Sequence, residues 1–121
     1  MDGDLAAVVQ QELIDIETMF NELKNAVGMD MRDELLALFY PTLDECLLGL
    51  DESVATLDKE QIISFAHKLK GAAGQLGATQ ISLSSKNIEQ SAKKDEFASM
   101  SSQLTQLKVL ATAVRASLIS A

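Results

Sequence analysis

The sequence predicts an all-α protein: an antiparallel, up-down four-helix bundle with one additional N-terminal helix. Three observations carry that prediction. Apolar residues recur three and four positions apart along almost all of the 121 residues, the period of helices that each bury one face. No stretch alternates apolar and polar residues for long enough to make a strand. The composition, 47% apolar with one proline, six glycines and no tryptophan, suits helices joined by short turns and suits neither a disordered nor an all-β chain.

Asp4 is placed to N-cap a first stretch, Leu5 to about Leu13, with Ala6, Val8 and Val9 apolar. A second stretch, about Ile14 to Val27, spaces Ile16, Met19, Phe20, Leu23 and Val27 at helical intervals and closes at Gly28; the two read equally as one bent helix. Asp30 opens a long segment through Arg32, Leu35, Leu36, Leu38, Phe39, Leu43, Leu47, Leu50, Val54 and Leu57. Pro41 lies inside it, removes a backbone donor and crowds the preceding turn, so a kink is expected there. Asp44, Glu45, Asp51 and Glu52 fall mostly off this stripe and read as a solvated acidic face, not a metal cluster.

Asp58 with Gln61 makes a capping-box-like start for a helix of about residues 58–76, ended by Gly77. Thr79 is expected to cap the next helix, which sends Ile81, Leu83, Ile88 and Ala92 towards the core. Asp95 is expected to cap the last, with Phe97, Met100, Leu104, Leu107, Leu110, Val114 and Leu118. No repeat, low-complexity run or linker divides residues 1–121, so one domain is expected. The lack of a flanking linker is read as favouring a free-standing protein.

The lone Cys46 forms no intrachain disulfide, sits on an apolar stripe as a small core residue, and points to a cytoplasmic location. No signal-peptide pattern opens the chain, and no apolar run approaches the roughly 20 residues that cross a membrane. The net charge of −8 argues against nucleic acid and anionic membranes as partners. Its distribution is uneven. Residues 67 to 94 carry Lys68, Lys70, Lys86, Lys93 and Lys94 against Glu89 alone, a local +4, while the remainder carries five basic and seventeen acidic groups. This basic zone begins at the only histidine, His67, and reads as a face that handles anions.

At about 100° per residue, Ile62, Phe65, Ala66, Leu69, Ala72, Ala73 and Leu76 fall on one apolar face, and His67 points away from its centre. Glu60, Ile63, Gly71 and Gly74 share the histidine's side, with Lys68 and Lys70 flanking it. Glycine costs a helix about 1 kcal/mol against alanine, so Gly71 and Gly74 need a reason; bare backbone lets another molecule approach the ring closely. A metal site is not expected, because the single histidine lacks the paired partner of the helical zinc motif. There is no Gly-x-Ser-x-Gly elbow for a hydrolytic triad, and neither a Walker loop nor a kinase glycine loop to bind ATP. What an exposed, lysine-flanked imidazole can do is attack a phosphoryl group brought by a partner. Its ring nitrogen is a competent nucleophile, and Lys70, less directly Lys68, can stabilise the phosphoryl charge. Ile63 and Ser64, on the same side, are expected to contact the docked partner.

The run His67-Lys68-Leu69-Lys70-Gly71-Ala72-Ala73-Gly74-Gln75-Leu76-Gly77 resembles the signature of histidine-containing phosphotransfer (HPt) domains: His-x-hydrophobic-Lys-Gly, two small residues, then glycine. Ile88-Glu89-Gln90-Ser91-Ala92-Lys93 is similar to the family's Leu-Glu-x-x-Ala-Arg segment, and the likeness spans roughly residues 14 to 118. The resemblance implies a four-helix bundle whose histidine shuttles phosphoryl groups between receiver-domain aspartates in a multistep phosphorelay. It implies that His67 is the phosphorylated residue, Lys70 its electrostatic partner and Gly71 the close-approach position, with Gln75 and Glu89 around the ring. It also implies a phosphoryl carrier rather than an enzyme, with no cofactor of its own because magnesium belongs to the receiver. Response-regulator receiver domains and a hybrid sensor histidine kinase are the implied partners, and the chain is expected to be a monomer. Two other readings stand beside this one: a non-catalytic helical module that binds a signalling partner through the His67 face, and a structural bundle with a surface histidine.

Overall fold

The computed structural model describes residues 2–120. Among these residues there are five helices and no strand: α1 (Asp2–Val27), α2 (Arg32–Thr56), α3 (Lys59–Leu76), α4 (Thr79–Lys93) and α5 (Met100–Ser120). Helices α2 to α5 close into a ring in which α3 packs between α2 and α4, and α5 between α4 and α2. Cross-helix pairs fix alternate directions. Rising numbers on α2 meet falling numbers on α5 in Asp44–Arg115 and Asp51–Lys108, and rising numbers on α3 meet falling numbers on α4 in His67–Glu89 and Lys70–Ser82. α1 lies outside this ring, against α5, α4 and α3. The expected four-helix bundle with an N-terminal helix is the fold.

Each helix turns its periodic stripe inwards. Ile16 and Phe20 of α1, Leu43, Cys46 and Leu50 of α2, Ile62, Ala66, Leu69, Ala73 and Leu76 of α3, Ile81, Ile88 and Ala92 of α4, and Met100 to Leu118 of α5 join one continuous core. Cys46 is buried as a small apolar residue, and burial pushes its thiol up, away from reactivity. Leu38, Leu57 and Leu83, expected inside, are exposed. Leu38 and Leu83 each follow a buried residue, Leu36 and Ile81, by two positions, roughly 200° around the helix, so the same turn that buries one exposes the other.

The helix ends show where local sequence was and was not enough. Asp58 caps α3 by accepting from the Gln61 backbone N–H at 3.2 Å, and Gly77 ends it in the left-handed region at φ +85°. Gly28, at φ +79°, ends α1. Asp4 is no N-cap, since α1 already begins at Asp2 and runs as one helix to Val27. α2 starts after Asp30, whose Oδ1 accepts from Arg32 N at 3.0 Å, and continues without interruption across Pro41. Thr79 does not cap α4: Ala78 holds that position with no side-chain bond. Asp95 does not cap α5, which starts five residues later; it adopts a left-handed φ of +59° and pairs with Lys59.

Three acidic residues of α2 are tied up in cross-helix pairs: Asp44 with Arg115, Glu45 with Lys68 and Asp51 with Lys108. Among the described residues no group of three or more side chains is arranged to hold a metal, and no helix is long and apolar enough to cross a membrane.

The α2–α3 seam depends on one missing side chain. Gly49 is buried, and a Cβ built on it would meet the Phe65 ring at 2.5 Å. Aromatic ring and helix backbone are in contact there, which sets how closely α3 approaches α2. Gly49→Ala is therefore expected to destabilise the fold by about 1–3 kcal/mol, although alanine is the better helix former. Urea unfolding measures this; unchanged or increased stability would show that the seam is loosely packed.

Candidate functional site

The site lies on the outer surface of the α3–α4 pair. The α3 stripe from Ile62 to Leu76 faces the core, which turns His67 outward, with 68% of its side chain exposed. From α4, Glu89 points into the seam between the helices and is 4% exposed. Its two oxygens are shared out. Oε2 accepts from His67 Nδ1 at 2.8 Å, and Oε1 accepts from Lys70 Nζ at 2.8 Å. Lys93, one turn further along α4, brings its ammonium to 3.6 Å from Oε2.

The charge state of Glu89 follows from this surrounding. Burial pulls the carboxyl upward, but the hydrogen bonds from Lys70 and His67 and the charges of Lys70 and Lys93 outweigh it, holding the group below the usual carboxylate range. An ionised carboxylate only accepts hydrogen bonds, so His67 presents Nδ1–H to it. The lone pair of the neutral ring then resides on Nε2, which has no protein partner among the described residues. The buried anion thus selects the tautomer and aims the basic nitrogen at solvent.

The other expected site residues divide around this centre. Gly71 is exposed, and a Cβ there would have nothing within 4 Å. Gly74 is also exposed, but a Cβ on it would touch Ser82 Oγ at 3.7 Å, so it borders the α3–α4 seam as well as open space. Lys68 does not join the ring. It crosses to α2 and pairs with both oxygens of Glu45 at 2.9 and 3.0 Å, which holds it above the usual lysine range. Gln75 also faces α2, where with Leu35, Leu38, Thr42 and Ala72 it lines a shallow cavity of about 140 Å³. No hydrogen bond joins it to His67. Ser64 is exposed, whereas Ile63, expected to stand exposed, is half-buried against the core. Lys93 is the residue that sequence reasoning left out of the site. Its spacing of four from Glu89 placed the two on one helix face, and the signal lay there.

The ionisation of Glu89 carries a pH signature. Because its folded value lies below the unfolded one, it contributes stability that is fully present above the ordinary glutamate value of about 4.3 and is lost as pH falls through the folded value. Unfolding free energies of the parent and of Glu89→Gln, measured by urea between pH 3 and 6, should therefore diverge as pH rises to about 4.5 and run parallel above it. A constant difference across the range would mean that Glu89 is not held ionised by its neighbours.

A family model described as Hpt domain matches residues 34–117. Neither curated proteins nor solved structures give a match.

Proposed function

Because this chain belongs to the Hpt domain family, we propose that it relays a phosphoryl group between receiver-domain aspartates of a multistep phosphorelay through phosphohistidine at His67. Membership brings histidine phosphotransfer in two-component signalling, performed by a phosphocarrier module rather than a catalyst, with receiver domains and histidine kinases as partners. The observation that carries the finer reading is the exposed ring whose Nδ1 is bonded to a buried carboxylate, leaving Nε2 free.

The chemistry follows from that geometry. The Nε2 lone pair attacks the phosphorus of a receiver's aspartyl phosphate; the N–P bond forms, the acyl P–O bond breaks, and the aspartate leaves as a carboxylate with the bonding electrons. No proton has to be lost, because Nδ1–H stays on Glu89. The ring becomes more positive as the bond forms, and the Glu89 carboxylate 2.8 Å away opposes that charge. Onward transfer is the reverse: the phosphorylated ring with Nδ1 protonated is the better leaving group, and the same carboxylate holds that proton. Lys70 and Lys93, both beside Glu89, supply positive charge for the phosphoryl oxygens. Lys68, paired with Glu45, serves the rim where a partner docks, with Ser64, Gln75 and the open backbone of Gly71 and Gly74.

On this reading residues 1–121 act as one domain and as a monomer in the cytoplasm. The chain uses no cofactor of its own, since magnesium and the acyl phosphate both belong to the receiver.

Incubation with a labelled, phosphorylated receiver domain is expected to give an acid-labile, base-stable label on the parent and none on His67→Gln, with helical content unchanged. Label persisting on His67→Gln would sink the assignment. Gly71→Leu separates folding from docking. With nothing within 4 Å of its Cβ and a better helix former in place, it should fold at least as stably as the parent. Transfer should nevertheless slow about tenfold or more, the equivalent of ~1.4 kcal/mol. An unchanged rate would show that the open backbone is not where the partner approaches.

A further inference from the structure

Glu12 is a fully buried carboxylate for which the phosphotransfer chemistry has no use. It belongs to α1, which precedes the segment matched by the family model and stands outside the four-helix ring. Its Oε1 accepts from Gln80 N at 2.8 Å and its Oε2 from Ile81 N at 2.9 Å. These are first-turn amides of α4, and the N-cap residue Ala78 offers them no side-chain acceptor. A glutamate on another helix therefore does the capping, and its charge faces the positive end of the α4 dipole. α1 also lies flush on the preceding turn: a Cβ at Gly77 would meet Met19 Cβ at 2.8 Å and the Asp15 carbonyl oxygen at 3.0 Å.

We propose that Glu12 is a remote positioning residue for the His67 site, holding the start of α4 so that Glu89 stays in register with the imidazole. A continuous chain of contacts links the two. Next to Ile81, Ser82 Oγ donates to the Lys70 carbonyl at 2.9 Å. Lys70 Nζ donates to Glu89 Oε1, and Glu89 Oε2 holds His67 Nδ1. α4 has 15 residues, a length at which a helix relies on tertiary anchors for its order. Slipping it by one residue moves it about 1.5 Å along its axis, enough to part a 2.8 Å hydrogen bond. The two ends of α4 thus serve different tasks: the first turn is fixed by α1, and the later turns present Glu89 and Lys93 to α3.

The proposal rests on the phosphotransfer reading for its kinetic consequence alone; the effect on the ring is read directly. In Glu12→Ala, amide exchange at Gln80 and Ile81 should accelerate roughly five- to tenfold, as for the loss of a cap. The imidazole ¹⁵N shifts of His67 should move from the Nδ1–H tautomer towards a tautomer mixture, and transfer from a phosphorylated receiver should slow. Adding Ala78→Asp to Glu12→Ala supplies a local acceptor and should restore the exchange, the ring signals and the rate together. A folded Glu12→Ala with faster amide exchange but unaltered His67 signals would overturn the proposal, because Glu12 would then be only a structural cap. If Glu12→Ala does not fold, Glu12→Gln, which keeps one acceptor oxygen, takes its place. Faster exchange with shifted ring signals then supports the proposal, and faster exchange with unaltered ring signals overturns it. Ring signals that shift in the variant while the parent takes no label from any receiver would sink the phosphotransfer reading and leave this one standing.

Discussion

A carboxylate buried between two helices is costly unless its charge is answered, and at Glu89 it is answered by the groups that make the site. Lys70 and His67 each donate to one of its oxygens, and Lys93 adds a second ammonium at 3.6 Å. The arrangement works in both directions. The lysines and the ring keep Glu89 ionised, and the ionised Glu89 fixes which ring nitrogen bears the proton. Glu89 is 4% exposed, so removing Lys70 or His67 leaves one of its buried oxygens without a donor. The histidine is exposed to solvent, but its orientation is decided from inside the protein.

The rest of the architecture keeps that seam in place. α3 is stationed between α2 and α4, and its two flanks have different duties. Towards α2 it packs Phe65 on the bare backbone of Gly49 and sends Lys68 to Glu45. Towards α4 it offers Lys70 and His67 to Glu89 and the Lys70 carbonyl to Ser82. Asp44 and Asp51 are paired across the α2–α5 seam, and residues 67 to 94 carry five lysines against Glu89 alone, so the segment around the ring is basic within a protein of net charge −8. An incoming phosphoryl group therefore meets the ammonium groups of Lys70 and Lys93, with the Glu89 carboxylate between them turned inward.

α1 adds an element outside the ring of four helices. Its Glu12 reaches the first turn of α4, and its Met19 and Asp15 close over Gly77. Among the described residues the α3–α4 hairpin carries every ion-pair partner of Glu89, so a helix clamped on its turn bears on the site from outside that network.

The sequence by itself determined the helices and their inward faces. Apolar spacing is a property of each helix alone, so the stripe from Ile62 to Leu76, the exposure of His67 opposite it, and the terminators Gly28 and Gly77 were all legible before any packing was known. The run from His67 to Gly77 likewise carried the family on its surface. Only the tertiary structure decided what lies between helices. It buried Glu89 beneath the ring, recruited Lys93, and turned Lys68 and Gln75 towards α2. It also replaced the expected Thr79 cap with the carboxylate of Glu12, 68 positions before the Gln80 amide that it accepts from. The reason is physical: a long polar side chain has several partners within reach of its flexible stem, and which one it meets depends on the axial register of two helices. Periodicity within one helix holds no record of that register.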